Sequence, residues 1–173
     1  PFYQGDTGSI YTHNVSGTDD SALRNTAYGI TAMDAITTGD NNTATGYAAL
    51  SANTTGASNV AVGKDALKAN TTAGSNTAIG LQSLFTNTTG ANNTATGSQA
   101  LYSNSTGSYN AAVGESALYT NSTGANNVAV GRIALYNNTA DDNTAVGYAA
   151  LTANTTAAAN TAIGKGSMQT NTV

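Results

Sequence analysis

From residue 25 onward the chain repeats one alternation of apolar and polar positions. Residues 76–92 read NTAIGLQSLFTNTTGAN and residues 93–109 read NTATGSQALYSNSTGSY. Copies open at Asn25, Asn42, Asn59, Asn76, Asn93, Asn110, Asn127, Asn143 and Asn160, at steps of 17 residues except for 16 from Asn127 to Asn143. Counted from the opening Asn, every copy has Ala at position 3, Gly at 5, Ala or Ser at 8 and Leu or Met at 9. Val or Ile is frequent at position 4, and Asn stands at position 12 in every copy but the first, which has Ile36. A fixed short period marks a repeat architecture and outranks any residue-by-residue reading.

The spacing excludes a helical repeat. Apolar residues at 3.6 spacing never extend over ten residues, and β-branched Thr with recurrent Gly and Asn disfavours helix. Each copy instead predicts two short extended stretches, at positions 2–4 and at about 8–11, with a corner at Asn-Thr-Thr-Gly, where Asn and Gly tolerate left-handed backbone. The fold class is therefore all-β, a parallel β-solenoid or β-roll of nine 17-residue coils over 25–173, behind a non-repeating cap or junction over 1–24. Equivalent residues then stack about 4.8 Å apart, giving a rod of roughly 43 Å. Positions 4 and 9 are read as the inward apolar columns, and Asn at 1 and 12 as ladders of amide hydrogen bonds. The short copy has lost its residue at the Asn138-Thr139-Ala140-Asp141-Asp142 corner, as a loop allows.

One coil offers one Leu, one Val or Ile and a few Ala for burial, a thin core for seventeen ordered residues. A parallel homotrimer would bury a second face, and the small residues at 3, 5 and 8 fit close approach between neighbouring backbones.

Composition narrows the function. Only 8% of the 173 residues are charged, the formal net charge is −4, and Lys and Arg together number five. A nucleic-acid partner is thereby disfavoured. No apolar run reaches the roughly 18 residues of a membrane span, so membrane insertion is not expected. With no Cys there is no disulfide framework and no thiol chemistry.

NTAIGxxALxxNTTGxx resembles the repeats of phage tail-fibre proteins, notably of marine and cyanobacterial phages. Its core, Asn-Thr/Val-Ala-Val/Ile-Gly, is similar to the head repeat of trimeric autotransporter adhesins. The resemblance spans Asn25 to Val173. It implies a left-handed parallel β-roll, a homotrimer, neighbouring virion or fibre proteins as partners, and a place on the virion or alternatively on a bacterial surface. The adhesin repeat is shorter, so the Asn-Thr-Thr-Gly corner is the added part. The first copy departs from the pattern at Tyr28 and Ile36.

Candidate chemistry is sparse, and neither an enzyme activity nor a cofactor is expected. The acids are Asp6, Asp19, Asp20, Asp34, Asp40, Asp65, Glu115, Asp141 and Asp142. Glycan cleavage needs two carboxyls within roughly 5–9.5 Å. Asp65 and Glu115 lie three coils apart, about 14 Å along the rod. His13 is the single histidine and reads as an ordinary junction residue. The pairs Asp19-Asp20 and Asp141-Asp142 lack the six to eight oxygens that calcium takes. Sequons such as those at Asn53, Asn87 and Asn121 read as structural corners rather than glycan acceptors. Position 10 carries Phe85, Tyr102, Tyr119 and Tyr136 in four consecutive copies. These rings form a ladder that either contacts a host surface glycan or simply stacks on itself or on a neighbouring chain.

Three functions compete on this basis: a fibre shaft that holds or presents receptor-binding surfaces, the head of a bacterial adhesin, and an ice-binding solenoid. The last needs a flat face two Thr wide, and Thr-Ala-Thr occurs only at 43–45 and 94–96.

Overall fold

A computed structural model describes residues 3–4, 10–11 and 22–170. His13, Asp6, Asp19 and Asp20 lie outside the described residues. One sheet of eleven short strands runs in chain order: β1 Tyr3–Gln4, β2 Ile10–Tyr11, β3 Thr26–Tyr28, β4 Thr43–Thr45, β5 Val60–Val62, β6 Thr77–Ile79, β7 Thr94–Thr96, β8 Ala111–Val113, β9 Val128–Val130, β10 Thr144–Val146 and β11 Thr161–Ile163. From β2 onward every pairing is parallel, and from β3 onward positions 2, 3 and 4 of one copy sit against positions 2, 3 and 4 of the next. Thr43, Ala44 and Thr45, for example, pair with Val60, Ala61 and Val62. The chain is a parallel β-solenoid with one copy per coil, as the period requires.

The sheet begins upstream of the repeats. β2 takes the place of positions 2 and 3, with Ile10 opposite Thr26 and Tyr11 opposite Ala27, and β1 lies antiparallel on its outer edge. The segment before residue 25 thus contributes two strands to the repeat sheet despite its different sequence.

The core is made of stacked columns. Position 9 points inward as expected, and Leu50, Leu67, Leu84, Leu101, Leu118, Leu135 and Leu151 are fully buried. The Ala columns at positions 3 and 8 line the same interior. Position 4 does not join them. Val62, Ile79, Val113 and Val130 are 36–42% exposed. In a three-residue strand the side chains alternate, so burying Ala at position 3 turns both 2 and 4 outward.

The second expected extended stretch is also absent. Positions 6 to 11 form a run of tight turns with positive φ at positions 7 and 9, for example Gln99 (58°) and Leu101 (52°). Leucine rarely adopts this left-handed conformation. Here it lets adjacent residues, Ala100 and Leu101, both face the interior, which a pleated strand forbids.

Gly at position 5 answers a contact within the chain. A Cβ at Gly97 would stand 2.5 Å from the carbonyl oxygen of Gly114 in the next coil, and φ there is +135°. The small residues at 3, 5 and 8 are thus accounted for inside one chain, and they carry no argument for a neighbouring chain.

Asn columns close each coil. In the copy that opens at Asn93, the side-chain amides of Asn93 and Asn104 both donate to the carbonyl of Gly107, at 2.8 and 2.9 Å. Between coils, the backbone N–H of Asn110 donates to Asn93 Oδ1 at 3.0 Å, and Asn104 Nδ2 donates to Asn87 Oδ1 at 2.8 Å. Buried amides are tolerated because donors and acceptor alike are used.

Candidate binding surface

The four aromatic residues at position 10 are brought together. Phe85, Tyr102, Tyr119 and Tyr136 stack with centroids 5.1, 5.0 and 5.0 Å apart and planes within 7° of one another. The spacing is dictated by the coil, because each ring hangs from the residue after a buried Leu and repeats with the strand step. The rings are half-buried, and their faces are largely turned to each other. What they offer outward is a row of ring edges, with phenol hydroxyls on Tyr102, Tyr119 and Tyr136. The pKa of Tyr119 is raised, first by burial and then by the neighbouring Tyr102 and Tyr136.

The backbone beside the ladder is held firmly. The hydroxyls of Thr86 and Thr120, at position 11, donate to the carbonyls of Tyr102 and Tyr136 at 3.0 and 2.9 Å. Position 7 flanks the ladder on its other side. Asp65, from that column, is nearly buried, and Lys68 Nζ lies 3.0 Å from its Oδ1, a charge pair without hydrogen-bond alignment. The same ammonium sits 5.6 Å from the Phe85 ring centre, closing one end of the stack with a cation. Further along position 7, Gln99 Nε2 donates to Gln82 Oε1 at 3.3 Å. Sequence reasoning missed Lys68 and the two glutamines, although Gln82 and Gln99 stand one period apart and so share a column.

Three of the other acids serve local structure. Glu115 accepts from Arg132 Nε at 3.1 Å. Asp40 accepts from the backbone of Leu23 at 2.7 Å, and Asp141 from that of Ala125 at 2.8 Å. No group of three or more His, Asp or Glu able to hold a metal occurs among the described residues. Asn53, Asn87 and Asn121 are fully buried in the amide ladder, so in the folded chain these sequons serve the corner.

The Thr-Thr pair of each corner divides its labour. At position 13 the hydroxyl bonds the next coil, as when Thr88 donates to the Ser105 carbonyl at 3.0 Å. At position 14, Thr55, Thr89 and Thr123 are exposed.

A second surface is the outer side of the sheet. Positions 2 and 4 of β3 to β11 form two ranks of Thr, Val, Ile, Ala and one Tyr, without a single charged side chain.

The chain matches no family model, no curated protein and no solved structure. Among the described residues no helix is long and apolar enough to cross a membrane.

Proposed function

We propose that the chain is a rigid structural and adhesive segment of an extracellular fibre, a phage tail-fibre shaft by its repeat, that holds and presents host-binding surfaces. The same rod on a bacterial surface adhesin is the alternative source. In either place the working unit is a parallel homotrimer packed through the outer side of the sheet.

The observation that carries this reading is the uncharged, β-branched face of positions 2 and 4. Val60, Val62, Val128 and Val130 stand where a solvated face would carry Lys or Glu. The position 4 rank is apolar in seven of nine strands, and an exposed apolar row of this kind is read as an interaction site. Three such faces around a common axis would bury them together and supply the second buried surface that a thin coil lacks. Sedimentation or light scattering on the chain should give about three times its 17.1 kDa mass. Val62→Lys combined with Val130→Lys should split the trimer into folded monomers. A parent protein that is a folded monomer at micromolar concentration overturns the trimer.

Ice binding would use the same face, although both outward positions are Thr only in β4 and β7. It requires the face to be open to water, so a trimer packed through it and thermal hysteresis exclude each other. A hysteresis assay on the same sample separates them.

A further inference from the structure

We propose that the aromatic ladder is a binding strip for a neutral, extended polysaccharide chain lying parallel to the rod axis, one sugar to each coil. The inference deepens the display role proposed above but not its trimer, because a rod of any oligomeric state carries the ladder.

The fold does not need these rings. At position 10 the neighbouring coils hold Ser51, Lys68 and Thr152, and the Leu before each of them, Leu50, Leu67 and Leu151, is as fully buried as Leu101. Strand pairing is likewise the same in coils with and without the ring. Aromatic residues in four consecutive coils are therefore an addition to the solenoid, not a condition of it.

The chemistry of the strip selects its ligand. Tyr102, Tyr119 and Tyr136 repeat a hydroxyl along a straight line at the 5.0 Å period of the stack, and none of the three has a hydrogen-bond partner among the described residues. Beside them in the position 7 column run the half-buried amides of Gln82 and Gln99, followed by the buried Ser116 and the apolar Ile133. The phenols and the two amides are neutral donors and acceptors, and the charged neighbours Lys68 and Asp65 are paired with each other at the end of the ladder. Because the ring faces are occupied by one another, a sugar is held at ring edges and hydroxyls instead of by face stacking. An equatorially linked pyranose chain is a straight ribbon of hydroxyls that advances by nearly the same step per sugar as the ladder does per coil. A folded or branched glycan, or an acidic one, matches neither the line nor the charge.

The test uses the full chain with cello- and chito-oligosaccharides of two to six sugars as probes. Calorimetry measures the affinity, and since only three of the nine Tyr belong to the ladder, any Tyr fluorescence change is assigned to it by its loss in the double variant below. Affinity should climb with each added sugar to about four and then level off. Tyr102→Ser with Tyr119→Ser should weaken binding at least tenfold while circular dichroism and melting stay near the parent, Ser being native at this position in the Ser51 coil. Thr152→Tyr should add a rung and move the plateau by one sugar. Absence of binding at millimolar probe, affinity indifferent to length, or a double variant that binds like the parent overturns the proposal. A double variant that fails to fold overturns it too, since the ladder would then be structural. The mass measurement above fails or succeeds independently of all these outcomes.

Discussion

Asn121 and Asn138 occupy the same column one coil apart, yet no hydrogen bond joins their side chains. Every other rung from Asn53 to Asn154 is made, for instance Asn121 Nδ2 to Asn104 Oδ1 at 3.1 Å and Asn154 Nδ2 to Asn138 Oδ1 at 2.7 Å. Asn138 spends its amide on the Ala140 carbonyl at 2.8 Å, and Asn121 Oδ1 is left buried without a partner. The gap falls at the coil that is one residue short.

Restoring that residue should therefore stabilise the rod. Inserting Thr between Thr139 and Ala140 recreates the Asn-Thr-Thr-Ala corner that the chain already has at residues 70–73. An unsatisfied buried acceptor costs about 1–3 kcal/mol. Thermal or denaturant melts should show a gain of that order, and an unchanged midpoint would mean that water already serves Asn121.

Gly97→Ala should destabilise by roughly 3 kcal/mol, since a strained φ alone costs about 1–3 kcal/mol and the clash with Gly114 adds to it. Gly164→Ala is the control. It has φ +118° but nothing within 4 Å of the added Cβ, so it should lose only the strain component. Equal melting shifts for the two variants would remove the inter-coil contact as the reason for glycine.

Leu101→Asp and Asn104→Asp should both be severe, because both side chains are fully buried. Asn104→Asp deletes the donor to Asn87 and Gly107 and places an acid among amide oxygens. Burying an uncompensated polar group costs roughly 2–7 kcal/mol, more for a charge. The Asn104→Asp variant should recover part of its stability as pH falls through the carboxyl range, which the melting midpoint measures.

Alkaline pH tests the ladder. The folded pKa of Tyr119 is raised above the ordinary 10.0, so the folded state holds its proton more tightly than the unfolded chain. That contribution is complete below pH 10 and is lost as pH rises through the folded value. Ultraviolet titration should find Tyr119 ionising late, and Tyr119→Phe should flatten the loss of stability above pH 10.

Much of this was legible in the sequence because stacking makes a column out of every position. Leu101 repeats with Leu84 and Leu118, so its place inside and the register of the whole sheet follow from the period alone. The parity of the strand was not legible. Thr-Ala-Ile presents one small apolar residue and one large, and Ile79 looks like core until the buried Ala78 fixes which face is inner. The turn at positions 6–11 left a clue in the recurrent small-then-large pair at 8 and 9, Ala100 beside Leu101. Two adjacent buried positions are incompatible with a pleat, but the left-handed Leu that reconciles them runs against its own preference. The ladder of Phe85 to Tyr136 was visible as a column. Its closure by Lys68 was not, because only the bend at position 7 brings Asp65 beside it.

The 17-residue offset between paired strands has a kinetic meaning. Each strand finds its partner by closing one loop of the same short length, so the chain folds as a zipper whose rungs cost nearly the same to add. Parallel sheets with long crossovers fold slowly, whereas here the sequence separation of contacts never grows with the length of the rod. In such a one-dimensional system cooperativity is only as strong as the weakest neighbouring pair. The missing rung between Asn121 and Asn138 is then the place where the zipper stalls on closing and parts first on opening, dividing the rod into two blocks of unequal length.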